Sequence, residues 1–153
     1  MKKLMLLLTA SAVMLFTGCS SKEANLENKS EVSENTEINK IEFINKVVKT
    51  VYFDFDEYTL DEEAVITTTN NSTAIKGISN NEKIILTGNT DEWGSDEYNY
   101  ALGLKRAESV KSKMESEDVK NITTISLGES SPVCTEKTKD CWAKNRRVQL
   151  KAE

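Results

Sequence analysis

Short apolar runs alternate with longer amphipathic stretches over the last two thirds of the chain. Four runs rich in β-branched and aromatic residues predict strands, at residues 51–55, 84–88, 121–127 and 147–150. The run at 84–88 is apolar without a break, which predicts a central strand buried on both faces. Strands that alternate with helices indicate a mixed sheet with helices packed on it.

Two helices are predicted between these strands. Asp61, Glu62 and Glu63 open the first helix, at the end where the helix dipole favours acidic residues. Threonine, asparagine and serine fill residues 67–72, so the second half of this helix is expected to be weak. Ser95 is a good N-cap for the second helix, which is expected to run to about residue 116.

The second helix carries an arginine on its apolar face. At about 100° per residue, one half of the helix is apolar and the other half is charged or polar, and Arg106 lies near the centre of the apolar half. The apolar residues are Tyr98, Leu102, Ala107, Val110 and Met114. An unpaired buried charge costs several kcal/mol, so Arg106 is expected to have an acidic partner or a ligand. A guanidinium also suits planar, bidentate recognition of a carboxylate.

Asp91 is the nearest candidate partner for Arg106 along the chain. It follows the second predicted strand and precedes a helix N-terminus, where backbone N–H groups attract anions. The segment therefore offers an acid for a ligand amine and amides for a ligand carboxylate, with Arg106 behind them. This set predicts a receptor for an amino-acid zwitterion. A structural Asp91–Arg106 ion pair that fixes the loop explains the same residues equally well.

Residues 1–18 have the pattern of an export signal. Two lysines precede an apolar run that is shorter than the ~20 residues of a membrane-spanning helix, and small residues lead to Cys19. Residues 15–19 resemble the lipobox of bacterial lipoproteins, which implies cleavage before Cys19 and acylation, palmitate included, on that cysteine. Ser20 then favours the outer membrane. An ordinary secretory signal cleaved nearby is the alternative.

Residues 19–48 are interpreted as the lipidated Cys19 followed by a flexible tether. Serine, glutamate, lysine and asparagine dominate this stretch, and such a composition buries too little apolar surface to offset the entropy of ordering. A coil of this length spans roughly 30 Å. A short helix over residues 37–48 is the alternative, because isoleucines recur there at every third position. Residues 49–153 are expected to form the globular domain.

Composition narrows the chemistry further. The 153 residues include no histidine, which excludes Ser-His-Asp and Cys-His nucleophiles and histidine-ligated metal sites. The net charge of −5 argues against nucleic-acid binding. In an exported protein Cys134 and Cys141 are expected to form a disulfide, worth roughly 2–3 kcal/mol. Two thiols without histidine are too few for a metal, so neither a metal nor a cofactor is expected.

Three separate motifs resemble the peptidoglycan-binding domain of the OmpA-like family. They are Val51-Tyr52-Phe53-Asp54-Phe55-Asp56, then Thr90-Asp91, Gly94-Ser95, Tyr98-Asn99, Leu102, Arg106-Ala107 and Val110, and finally Asn145-Arg146-Arg147-Val148. The resemblance covers roughly residues 50–151 and keeps the family's order. It implies an α+β fold of order βαβαββ, with helices packed on a mixed four-stranded sheet.

The resemblance also implies a ligand and the residues that hold it. The family binds the stem peptide of peptidoglycan non-covalently at meso-diaminopimelate, and Asp91 and Arg106 correspond by motif to the pair that holds this residue. Other motif positions at or near the pocket are Phe55, Asp56, Gly94, Ser95, Leu102 and Arg146. Asn89 and Trp93 depart from the family's pattern and are expected to alter contacts at the pocket rim. Trp93 is either a cap on the loop or an exposed stacking surface.

By the same resemblance the chain is expected to be lipid-anchored in the outer membrane and to face the periplasm. Its implied partners are peptidoglycan, the membrane through Cys19, and TolB and TolA of the Tol system, which acts in envelope constriction at division. No enzyme activity is expected. A cell-wall hydrolase is the alternative class, because acidic pairs such as Asp91 and Glu92 could act as a glycosidase, although side chains adjacent in sequence diverge.

Overall fold

The computed structural model describes residues 26–79 and 81–153, and within them four helices pack on a mixed four-stranded sheet. In chain order the elements are α1 (Leu26–Val47), β1 (Val51–Tyr52), α2 (Glu62–Ile78), β2 (Ile84–Asn89), α3 (Asp96–Ser116), β3 (Ile122–Gly128), α4 (Lys139–Asn145) and β4 (Arg147–Ala152). The strand order is β1-β4-β2-β3, with β2 and β3 parallel and the other neighbours antiparallel. The predicted α+β fold is confirmed.

Burial alternates along the strands. In β2 the side chains of Ile84 and Leu86 are buried, whereas Ile85 and Thr87 are only half-buried. The helices therefore cover one face of the sheet and leave the other partly open, as is common where strands pair antiparallel. The prediction that β2 is buried on both faces is wrong, because an apolar run does not reveal that one sheet face has no helix over it.

Two glycines bring α3 onto the sheet without side chains between them. A Cβ on Gly88 of β2 would lie 1.8 Å from the carbonyl oxygen of Gly103, and one on Gly103 would lie 2.4 Å from Oγ of Ser126. This close approach seats α3 over β2 and β3. It also fixes Leu102 and Arg106, which flank Gly103 on α3, beside the loop that follows β2.

Over residues 26–47, helix α1 corrects the interpretation of this part of the chain as a flexible tether. Residues 26–47 are helical, Ile44 is buried in the core, and the Asn45 side chain exchanges two hydrogen bonds with the backbone of Ala152. The alternative of a helix over residues 37–48 therefore fits better, and the helix begins earlier. A few side chains that dock on β4 suffice to order a stretch whose composition is mostly polar.

The signal peptide over residues 1–18, Cys19 and the first part of the tether lie outside the described residues. Within residues 26–79 and 81–153, no helix is long and apolar enough to cross a membrane.

Helix α2 continues unbroken through the stretch that was expected to be weak. Asp61 caps its N-terminus by accepting a hydrogen bond from the Ala64 N–H. The hydroxyls of Thr68 and Ser72 are buried and donate to helix carbonyls one turn earlier. The Asn71 side chain accepts a hydrogen bond from the Lys49 N–H and donates one to the Lys49 carbonyl. Tertiary contacts thus outweigh the low helix propensity of this segment.

The short helix α4 has no counterpart in the sequence prediction. Thr138 caps it, and the predicted disulfide between Cys134 and Cys141 is confirmed. Asn145 braces the same loop, because its side chain accepts from the N–H groups of Val133 and Cys134 and donates to the Cys134 carbonyl. The disulfide loop and α4 thereby fix the point at which β4 begins, beside β1 and β2.

Candidate functional site

Arg106 is completely buried beneath two loops that follow strands. Its Nε donates to the carbonyl of Glu57 at 2.7 Å, Nη2 donates to the carbonyl of Asp54 at 3.0 Å, and Nη1 donates to the carbonyl of Asn89 at 3.0 Å. The guanidinium also lies 5.4 Å from the ring centre of Phe53. Residues 54–57 form a loop whose Asp54 and Glu57 carbonyls accept from Arg106. The first strand, β1, ends at residue 52 rather than at the predicted residue 55.

The expectation of an Asp91–Arg106 ion pair is wrong. Arg106 does lie on the core face, but its direct partners are three backbone carbonyls, whose partial charges satisfy the buried guanidinium. Burial lowers the pKa of Arg106 to about 10, against the influence of the nearby Asp91 carboxylate, which raises it. Arg106 therefore stays cationic at neutral pH.

Asp91 pairs instead with Arg146, the residue that follows α4. Nη1 of Arg146 lies 3.1 Å from Oδ2 of Asp91, and both side chains are largely buried. Nε of Arg146 donates to the carbonyl of Phe53 at 3.0 Å, and Oδ1 of Asp91 accepts from the Trp93 N–H at 3.4 Å. Arg146 thus links the loop after β2 to the end of β1.

A cavity of about 210 Å³ opens above Arg106 between the same two loops. Its lining residues are Phe55, Asp56, Asp91, Trp93, Gly94, Tyr98 and Leu102. Five of the eight residues predicted for the pocket line it. Of the other three, Arg106 holds the loops around it, Arg146 pairs with Asp91, and Ser95 caps α3 by accepting from the Tyr98 N–H.

The backbone of both loops is specialised at the cavity. Asp56 has a φ of 59°, and its carboxylate accepts a hydrogen bond from the Tyr98 hydroxyl. This hydrogen bond raises the pKa of Tyr98. Gly94 has a φ of 120°, and a Cβ there would lie 3.2 Å from the Tyr98 ring. Glycine is therefore required both by the left-handed backbone and by the neighbouring ring.

The two residues that depart from the family's pattern have different places. Trp93 is half-exposed at the cavity and packs edge-to-face on Trp142, with ring centres 5.3 Å apart. Asn89 is buried, and its amide donates to the carbonyls of Thr87 and Arg147. Asn89 does not line the cavity, and its side chain bonds to the backbone of β2 and β4, so its expected effect on contacts at the pocket rim stays a prediction.

Tyr98 is a lining residue that the sequence prediction left out of the site, whereas Trp93, which was expected to alter contacts at the pocket rim, lines the cavity. Tyr98 had a usable signal, because it lies four residues before Leu102 and eight before Arg106 on one helix face. The contact of Trp93 with Trp142 carried no such signal, since it depends on where α4 packs. Among the described residues, no group of three or more histidine, cysteine or acidic side chains could hold a metal ion.

Comparison with known proteins agrees with this fold and site. Residues 52–146 match the OmpA family, and the chain belongs to that family. The match includes both loops of the cavity, Arg106 and Arg146.

Individual relatives are more specific. The chain is 36% identical over 108 residues to a protein of Pseudomonas putida, and the match covers 69% of this chain and 64% of that protein. It is 32% identical over 153 residues to a protein of Pasteurella multocida, and this match covers 98% of this chain and 99% of that protein. Both relatives are called peptidoglycan-associated lipoprotein. The crystal structure of the peptidoglycan-associated lipoprotein from Burkholderia pseudomallei superimposes with a TM-score of 0.64 at 36% identity, over 69% of this chain and 90% of that one.

Proposed function

We propose that this protein binds peptidoglycan without cleaving it and tethers the outer membrane to the cell wall. The observation that carries the proposal is the small cavity between the loops after β1 and β2, which the Asp91 carboxylate lines, with Arg146 paired to Asp91 and Arg106 buried behind the loops. The relatives called peptidoglycan-associated lipoprotein support the choice of polymer. Lipid on Cys19 would supply the membrane end, and TolB and TolA of the Tol system would be protein partners during envelope constriction.

The ligand group is the diaminopimelate residue of the stem peptide, whose side chain ends in an ammonium and a carboxylate. Asp91 receives the ammonium, because its carboxylate lines the cavity. Nη1 and Nη2 of Arg106 each carry a second N–H besides the one bonded to a carbonyl, and this pair suits a carboxylate. Because Arg106 is fully buried, reaching it requires a small opening of the loops at residues 54–57 and 91–94.

Co-sedimentation with purified sacculi tests this function. The parent protein is expected to sediment with sacculi and to release no soluble muropeptides, whereas release of fragments would point to the alternative hydrolase. Asp91→Asn is the sharpest variant, since it removes the charge and keeps the size of the side chain, although its single amide oxygen can accept from the Trp93 N–H or from Arg146 but not from both. We expect it to weaken binding at least tenfold while thermal unfolding shows a folded protein. Undiminished binding by folded Asp91→Asn would contradict the assignment of the pocket.

A further inference from the structure

Three half-exposed aromatic rings surround the cavity. Phe55, Trp93 and Tyr98 are 62%, 52% and 49% exposed, and all three line the space that also holds the carboxylates of Asp56 and Asp91. The face of an aromatic ring is electron-rich and attracts organic cations, most strongly for tryptophan. Rings and carboxylates around one small cavity are therefore the chemistry of an ammonium site.

Trp93 is the ring with the firmest support. Its backbone N–H donates to Oδ1 of Asp91, so ring and carboxylate belong to one tight turn. Its ring packs edge-to-face on Trp142, whose own N–H donates to Oε1 of Glu92 at 3.1 Å. Trp142 lies on α4, next to the buried, disulfide-bonded Cys141. Helix α4 thus fixes the placement of Trp93 without lining the cavity itself.

We propose that Trp93, held in place by Trp142, contacts the ligand and determines its specificity by packing its ring against the ligand's ammonium. This inference rests on the proposed function and names the group that is recognised. Asp91 neutralises the ammonium and Trp93 adds an attraction that a neutral amide cannot receive. The site therefore selects stem peptides whose diaminopimelate amine is free over those in which a cross-link has converted that amine to an amide.

The test is a cycle of two ligands and three proteins, measured by titration calorimetry. The ligands are the tripeptide L-Ala-γ-D-Glu-meso-diaminopimelate and the same tripeptide acetylated on the side-chain amine. The proteins are the parent, Trp93→Leu and Trp93→Phe. We expect Trp93→Leu to weaken binding of the free-amine tripeptide on the order of threefold to tenfold, and Trp93→Phe to weaken it less. The acetylated tripeptide should bind the parent more weakly and should not distinguish the variants.

Tyr100→Leu is the matched control, because Tyr100 is an equally exposed ring of α3 that does not line this cavity. Trp142→Leu should reproduce part of the loss through the displaced Trp93 ring. Thermal unfolding verifies that each variant is folded.

The outcomes separate the two proposals. If the parent binds the free-amine tripeptide and Trp93→Leu binds it equally well, the inference is overturned while the proposed function stands. If Trp93→Leu weakens both tripeptides by the same factor, the ring makes an ordinary apolar contact, and recognition of the ammonium by Trp93 is overturned. If the parent binds neither tripeptide nor sacculi, the proposed function itself fails.

Discussion

Arg106 and Arg147 are two buried arginines with different surroundings. Both guanidiniums are almost fully removed from water, at 0% and 2% exposure. Arg106 donates to three backbone carbonyls, two in the loop at residues 54–57 and one at the end of β2. Arg147 donates to the carbonyls of Asn145 and Ser131 and to the side chain of Gln149, and its Nε is buried without a hydrogen-bond partner among the described residues.

The pair shows that burial of an arginine does not by itself mark a ligand site. Burial lowers the pKa of both guanidiniums, and neither forms a direct ion pair in the described part of the chain. Arg106 differs because the loops it holds carry Asp56 and Asp91, and because the Asp91 charge acts on it. Arg147 braces Ser131 and the end of α4, on either side of the disulfide loop, against the sheet. The character of the loops, rather than the arginine itself, distinguishes the proposed site from a structural brace.

The largest effect is expected from truncating the two arginines. Arg106→Ala removes the donors of three carbonyls, two in the loop at residues 54–57 and one at the end of β2, and should lower the free energy of unfolding by about 3 kcal/mol or more. Arg147→Ala should cost about 2 kcal/mol, since it also removes a buried N–H that has no acceptor. Urea unfolding measures both. A larger loss for Arg147→Ala would reverse the proposed ranking of the two arginines.

The same contrast explains how far the sequence could predict this molecule. Periodicity located the main strands and helices, and the wheel of α3 placed Arg106 inside, because these features depend on local spacing. Periodicity could not show that Arg106 donates hydrogen bonds to backbone carbonyls, or that Asp91 forms an ion pair with Arg146. Those partners come together only when β4 inserts between β1 and β2, a pairing across more than 50 residues. The contact of Trp93 with Trp142 was unpredictable for the same reason.

Removing the disulfide should act mainly on the Arg147 side. Replacing both Cys134 and Cys141 with serine frees the loop at residues 134–141, which lies between the Ser131 and Asn145 carbonyls that Arg147 contacts. The free energy of unfolding should fall by about 2 kcal/mol. Hydrogen exchange should quicken at the backbone amides of position 134 and of Arg146, and less in residues 54–57 around Arg106. Equal quickening in both regions would mean that the two arginines belong to one cooperative unit.

A third prediction concerns the loss of stability at low pH, which depends on Glu117 and not on either arginine. Glu117, at the far end of α3, accepts hydrogen bonds from Lys113 and Thr69. Burial alone would raise the pKa of Glu117, but these hydrogen bonds outweigh it and lower the pKa to about 2. The stabilisation is therefore present above about pH 5 and is lost as the pH falls toward 2. Both guanidiniums stay charged throughout this range.

Glu117→Gln should accordingly cost about 1–2 kcal/mol at pH 7 and almost nothing at pH 2. Urea unfolding across this pH range measures the difference. Glu115→Gln is the matched control on the same helix, because Glu115 is exposed and lies 4.0 Å from Lys111. It should change stability by less than about 0.5 kcal/mol. A pH-independent loss in Glu117→Gln would show that its charge does not stabilise the contact between α2 and α3.

The smallest effect is expected from Tyr98→Phe, which removes one exposed hydrogen bond to Asp56. The loop at residues 54–57 should keep its shape, because Arg106 still holds the Asp54 and Glu57 carbonyls at its two ends. The loss should therefore be under about 1 kcal/mol in urea unfolding. If Tyr98→Phe destabilised the protein as much as Arg106→Ala, the hydroxyl rather than the guanidinium would organise the loop. The distinction between Arg106 and Arg147 as a site arginine and a structural brace would then no longer hold.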